Sequence, residues 1–259
     1  MLTRPQGPAI AYHLLPAAGE EMQGRAGERR NLPGVIFLTG FASNMAGTKA
    51  MALEQFCRER RQGFLRFDYS GHGASGGAFR DGTIGGWLQD AIDVFDRLTM
   101  GPQILVGSSM GGWIMLLLAL RRRERVAGLI GLASAPDFTE DIWRGFSKVQ
   151  REELIARGTV ERPSAYSDSP YVIARALIEE GRQHLLLGGA IEIDCPVRLL
   201  HGMADPDVPY EKSLRIVEKL RSDDATVTLI KDGDHRLSRP QDLQRLFDAV
   251  GELSVATGA

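Results

Sequence analysis

The chain predicts an α/β domain: a mainly parallel central sheet with helices on both faces and a helical insertion. Three observations carry that reading. Strand-like apolar runs alternate with helical patterns through most of the 259 residues, which is the pattern of successive βαβ units. The stretch Ile104 to Trp113, ILVGSSMGGW, passes from a short apolar run into a long apolar helix through a Gly-x-Ser-x-Gly turn, Gly107 to Gly111. Between Pro136 and Asp194 the alternation stops.

Ala9 to Leu15 reads as an early edge strand. Val35 to Leu38 is a continuous apolar run, as expected of a central strand buried on both faces, and a loop leads from it to a helix over about Thr48 to Arg61. Phe64 to Tyr69 is the next strand and opens into the polar run Asp68 to Gly73. From Ile84 to Leu98, the residues Trp87, Ala91, Val94, Phe95 and Leu98 recur at helical spacing. Gln103 to Val106 is a buried strand, with an apolar helix from Trp113 to Leu120 packed against it. Val126 to Leu132 is a further buried strand. Val197 to His201 and Val227 to Lys231 complete the series, with helices over about Tyr210 to Leu220 and Pro240 to Leu253. The stretch between carries helical patterns, for example Val149 to Ala156 and Tyr171 to Glu180, and no strand pattern. The expected organisation is one domain over 1–259, with a helical lid inserted at 136–194.

Composition narrows the function classes. This length suits one large α/β domain with ample core. With 25% charged residues and a formal net charge of −2, no bulk basic field recruits nucleic acid or an anionic membrane. The run Arg121 to Arg123, followed by Arg125, reads as a solvated helix end. Cys57 and Cys195 match no metal-ligand spacing and read as reduced core thiols of a cytosol-like compartment. The N-terminus has Pro5, Pro8 and no long apolar run, so neither a secretory signal nor a transmembrane helix is expected. Nor does it resemble an Arg- and Ser-rich transit peptide. The expected location is cytoplasmic, or the mitochondrial matrix for a processed eukaryotic chain.

Gly107-Ser108-Ser109-Met110-Gly111, placed where strand gives way to helix, is a nucleophile elbow: the serine is held on a strained turn and its hydroxyl is presented at the top of the sheet. Ser109 is the nucleophile candidate, because Ser108 would be flanked by Val106 and Met110 instead of glycines. A serine hydroxyl needs a base within reach, and that base needs an acid to fix its tautomer. In the chain order serine, acid, histidine, the acid candidate is Asp205, with Asp207 as runner-up, in the loop after the Val197 strand. Strand ends of this kind line the ligand crevice of open α/β sheets. Asp207 is also a candidate helix cap. His235, just after the last strand, is the base candidate. His13 and His72 precede the serine, His184 lies in the insertion and His201 opens the acid loop, so these four read as structural. The oxyanion needs two backbone donors, here the amides of Met110 and Phe41, with Gly40 allowing close approach. A plain strand-to-loop turn would give the same Gly40-Phe41 sequence.

With these three residues in this order, the chain resembles the α/β-hydrolases. GTKA (47–50), RFDYSGHG (66–73), GPQILVGSSMGGW (101–113), CPVRLLHGMADPDVP (195–209) and DHR (234–236) are similar to the abhydrolase-domain family of mitochondrial palmitoyl-protein thioesterases that also cleave acyl glucuronides. The likeness covers most of residues 34 to 250. It implies the α/β-hydrolase fold, Ser109, Asp205 and His235 as nucleophile, acid and base, and deacylation of S-palmitoyl cysteine or hydrolysis of acyl-glucuronide esters. The lack of an obvious presequence implies a bacterial-type or mature relative.

The expected reaction is a two-step acyl transfer to water that requires neither metal nor organic cofactor. The partners are a small ester or acyl-thioester substrate, or an S-acylated protein. Trp143 and Phe146, with Tyr166, Tyr171 and Leu185 to Leu187, are candidates to line an acyl channel. Arg144 or Arg151 is a candidate partner for a glucuronate carboxylate. Ordinary lid core and surface would account for the same residues. A peptidase of the same fold is the enzymatic alternative, with Glu140, Asp141, Glu179 and Glu180 available to hold a substrate ammonium. A catalytically inactive binding module of this fold is the alternative from another class, and it would require a broken triad.

Overall fold

The computed structural model describes residues 1–17, 32–162 and 170–256. In chain order its elements are β1 (Tyr12–Leu15), β2 (Gly34–Leu38), α1 (Thr48–Glu59), β3 (Phe64–Phe67), α2 (Ile84–Leu98), β4 (Gln103–Ser108), α3 (Met110–Arg121) and β5 (Val126–Leu132). There follow α4 (Phe138–Gly145), α5 (Lys148–Arg157), β6 (Thr159–Arg162), β7 (Tyr171–Ala174), α6 (Arg175–Gly181), β8 (Val197–Gly202), α7 (Glu211–Lys219), β9 (Ala225–Ile230) and α8 (Pro240–Ala256). No helix among the described residues is long and apolar enough to cross a membrane.

Seven strands form one sheet in the order β1-β3-β2-β4-β5-β8-β9. Only β1 runs antiparallel, along β3, and the other neighbours are parallel. The central strands β2, β4 and β5 are almost wholly buried because both faces are covered, and alternate residues divide between two cores. Ile36, Leu38, Leu65, Phe67, Leu105 and Leu129 face the core filled by α2, α3 and α7. Val35, Phe37, Phe64, Ile104, Val106 and Ile130 face the core filled by α1 and α8.

The helices differ as their positions require. In α2 the buried residues Ile84, Trp87, Leu88, Ala91, Val94 and Phe95 form one stripe, and the Thr83 hydroxyl caps the helix by accepting from the Gly86 amide at 3.1 Å. In α3 every residue from Met110 to Ala119 is buried, as expected of an all-apolar helix between the sheet and its neighbours. Trp113 is fully buried and its indole N–H donates to the His184 carbonyl at 3.0 Å, tying the first turn of α3 to the segment beyond α6.

Two expectations need correction. Residues 136–194 are not wholly helical, since β6 and β7 pair as an antiparallel hairpin with Thr159 opposite Ala174. Helix α5 stops at Gly158, whose φ of 76° is left-handed. Strands of four residues show too little alternation to register, and Tyr171–Ala174 runs straight into α6, so the two read as one helix. Tyr166 lies outside the described residues. The basic run after α3 is not simply solvated either: Arg122 Nε donates to Asp96 on α2 at 2.8 Å, and the Arg125 guanidinium lies 4.4 Å from the centroid of the Phe95 ring.

The first residues are woven into the body. Leu2 and Ile10 exchange backbone bonds, and the Arg4 guanidinium, only 3% exposed, pairs with Asp90 and Asp93 of α2. Asp90 Oδ2 in turn accepts from the Ser70 amide at 2.7 Å.

Candidate active site

Ser109 stands between β4 and α3 with φ 55° and ψ −119°, a conformation that ordinarily costs a non-glycine residue about 1–3 kcal/mol. The surrounding backbone fixes it. Its amide donates to the Leu132 carbonyl at 2.9 Å, and its carbonyl accepts from the amides of Gly112 at 2.9 Å and Ala135 at 3.0 Å. The turn closes because Gly111 has no side chain, and a Cβ there would collide with the carbonyl oxygens of Leu38 and Thr39 at the end of β2.

The loops after β8 and β9 bring the other two predicted residues to this serine. His235 Nε2 lies 3.2 Å from Ser109 Oγ, and His235 Nδ1 lies 2.7 Å from Asp205 Oδ2. Asp205 is buried and His235 is 16% exposed on its side chain, so the imidazole opens toward solvent while its partner does not. With Nδ1–H donated to the carboxylate, the Nε2 lone pair faces the serine hydroxyl. Such a series lets the imidazole take a hydroxyl proton while the carboxylate stabilises the imidazolium that forms.

The acid loop is built around Asp205. Its Oδ1 accepts from the amides of Asp207 at 2.8 Å and Val208 at 2.9 Å. Asp207 does not cap α7, contrary to the sequence expectation, because the residue at the cap is Tyr210. Burial by itself would raise the Asp205 pKa. The bonds from His201 and His235, the Val208 amide and the His235 charge outweigh it and hold the carboxyl well below the usual carboxylate range. His201, one of the histidines read as structural, is fully buried against this loop. Its Nε2 lies 2.9 Å from the Val208 carbonyl and 3.4 Å from Asp205 Oδ2, and its Nδ1 lies 2.7 Å from Ser213 Oγ. Its place at the end of β8, four residues before Asp205, was the available signal.

Gly40 sits beside the serine, where a Cβ would come 3.5 Å from that of Ser109. The Phe41 and Met110 amides on either side of this approach have no hydrogen-bond partner among the described residues. The loop is pinned one residue further on: the Ala42 amide donates to His72 Nε2 at 3.2 Å, and His72 Nδ1 lies 3.2 Å from the Ser70 carbonyl. Burial pushes the His72 pKa down, keeping the ring neutral and able to accept.

The Phe41 ring meets Phe79, Trp87, Phe138 and Tyr171, with centroids 4.9 to 5.9 Å away, so it joins the body to the 136–194 segment. Trp143 and Phe146 are not brought to Ser109. Phe146 is buried with Leu154, Val160, Ile173 and Ile178 in a small core of that segment. Trp143 packs against this core under the Arg151 and Arg182 guanidinium groups, 5.1 and 5.4 Å from its ring centroid. The four acidic residues considered for an ammonium are all engaged: Glu140 with Arg182, Glu179 with Arg175, Glu180 with the Gly85 amide and His184, and Asp141 with Lys212. Among the described residues, Asp205, Asp207 and His235 form a cluster of possible cation ligands, in which Asp205 and His235 already bond each other. Burial pushes the Cys57 thiol up to about 12 and that of Cys195 to about 11, so neither offers a thiolate near neutral pH.

The chain belongs to the alpha/beta hydrolase family, whose sequence profile matches residues 35–249, and the sheet order and Ser109 elbow fit that membership. Among its relatives, the human palmitoyl-protein thioesterase ABHD10, mitochondrial, is 39% identical over 97% of this chain and 78% of its own length. The rat protein of the same name is 39% identical over 99% and 84%. The solved structure of mouse alpha/beta hydrolase domain-containing protein 10 superposes with a TM-score of 0.86 at 39% identity, covering 97% of this chain and 96% of that one. A crystal structure from Agrobacterium vitis S4 gives a TM-score of 0.88 at 44% identity, covering 97% and 95%.

Proposed function

We propose that the protein is a serine hydrolase of carboxylic esters and thioesters that works through an acyl-enzyme. The observation that carries this reading is the hydrogen-bonded series from Ser109 Oγ through His235 to the buried Asp205. His235 accepts the hydroxyl proton as Ser109 Oγ bonds to the carbonyl carbon, and the Phe41 and Met110 amides hold the oxyanion. The carbon–leaving group bond then breaks, and His235 returns its proton to the departing alcohol or thiol. Water, deprotonated by the same imidazole, attacks the acyl-serine, and the acid leaves as Ser109 regains its proton.

The relatives named palmitoyl-protein thioesterases favour an S-acyl cysteine or a comparable long-chain acyl thioester as substrate. The acyl chain lies against the half-buried rings of Phe41, Phe79, Phe138 and Tyr171, with the 136–194 segment acting as the lid over them. This replaces Trp143 and Phe146 as the acyl surface, because those two side chains fill the lid. An aminopeptidase finds little support, since each acidic lid residue that would hold the ammonium already has a partner. A binding module is disfavoured by the unbroken serine-to-aspartate series.

Ser109→Ala is expected to abolish covalent labelling by a fluorophosphonate probe and to lower turnover of acyl thioesters by about 10⁴-fold or more, with the unfolding curve retained. Labelling that persists on another residue would refute the assignment. Comparing a palmitoyl thioester with an acyl glucuronide and an aminoacyl amide tests the substrate class, and the thioester is expected to have the highest kcat/KM.

A further inference from the structure

The fold brings together two motifs quoted from the sequence, GTKA and DHR, of which only His235 enters the chemistry above. Lys49, in the first turn of α1, reaches across to the loop after β9 and donates its ammonium to the Arg236 carbonyl. That carbonyl belongs to the residue next to His235, on the turn that aims the imidazole at Ser109 Oγ. We propose that Lys49 is the positioning residue for His235, locking the histidine turn to α1 so that the imidazole stays aligned with the serine. The inference rests on the Ser109–His235–Asp205 reading. It adds a residue that touches neither substrate nor the reacting atoms.

The surroundings of Lys49 suit that task. The charged groups facing it are Asp234 and Arg236 on the histidine loop, Asp205 on the acid loop and Asp242 in the first turn of α8. Burial of the ammonium is the largest influence and lowers its pKa, and Arg236 lowers it further. Asp234, Asp205 and Asp242 oppose them, and the net result is about 8. The carbonyl thus receives a charge-assisted bond at neutral pH, and a weaker one from the neutral amine above that value. The two cysteines, held at about 11 and 12, leave this window clear, and a guanidinium would not titrate within it.

The test is the pH profile of kcat/KM for a nitrophenyl ester between pH 6 and about pH 10, together with the rate of fluorophosphonate labelling. The native enzyme is expected to lose rate above about pH 8. Lys49→Met is expected to lower kcat and the labelling rate by about 10- to 100-fold, the scale of a small misalignment, with KM little changed and the alkaline fall abolished. Lys49→Arg is expected to recover most of that rate while moving the alkaline fall upward, and it serves alone if the methionine variant does not fold. The proposal is overturned if the native profile has no alkaline fall, or if the fall keeps its position in whichever variant folds. Loss of labelling at Ser109 from the native protein would instead overturn the triad reading, so the two failures are distinguishable.

Discussion

Ser109 carries its strain in the backbone, not in the hydroxyl, and the two are separable by mutation. Ser109→Ala removes the oxygen and keeps a Cβ at φ 55°. Ser109→Gly removes both. Relief of about 1–3 kcal/mol of strain, set against about 0.4–1 kcal/mol of added freedom in the unfolded chain, leaves the glycine variant more stable than the alanine variant by about 1 kcal/mol. Urea unfolding of the pair checks this, and a glycine variant less stable than the alanine variant by the full ~0.4–1 kcal/mol of added freedom would mean that the turn stores no strain. The sequence was most informative at this scale. The glycine frame selected Ser109 over Ser108, and chain order selected His235 from five histidines and brought the acid down to a loop offering Asp205 and Asp207, with Asp207 set second as a helix-cap candidate. His201, Lys49 and His72 did not stand out, because each acts through a neighbour's backbone or carboxylate, and such pairings form only when distant loops meet.

Elements were legible in proportion to their length and to the regularity of their burial. Helix α2 and strand β5 have the boundaries that apolar spacing predicts. Helix α3 begins three residues earlier than expected, because Gly111 and Gly112, which look like turn residues, belong to its first turn. The hairpin β6-β7 was hidden by its brevity. Trp143 and Phe146 were harder to place for a related reason: spacing identifies an apolar side chain but not whether it faces a substrate or its own small core. Trp143→Ala is accordingly expected to destabilise that segment, costing about 1–2 kcal/mol through two lost cation–π contacts at a half-buried site. Faster hydrogen exchange in α5 and α6 with unchanged KM for a nitrophenyl ester is the expected result. A large rise in KM would restore Trp143 to the acyl surface.

At the scale of the molecule, the alternation of strands and helices predicted a parallel sheet, and the crossovers delivered one with both faces covered and the serine, acid and histidine loops following the C-terminal ends of the parallel strands β4, β8 and β9. What alternation cannot encode is the fastening between parts remote in sequence. The segment after β5 is held by the Lys212–Asp141 pair to α7, by Glu180 to the start of α2, and by the Phe41 ring. The opening residues are fastened as firmly. From Arg4 a relay of polar partners runs through Asp90 to the Ser70 amide, from the Ser70 carbonyl to the His72 ring, and from that ring to the Ala42 amide beside Phe41. Trimming the chain past residue 4 would therefore leave Asp90 without its cation, at a cost of about 3–5 kcal/mol for a broken buried pair, and would slacken the far end of the relay. A shortened protein is expected to melt earlier and to bind a boronate mimic of the tetrahedral adduct more weakly than the native chain. An affinity tag that displaces Arg4 from its socket would act as a mild inhibitor without touching the serine, acid or histidine.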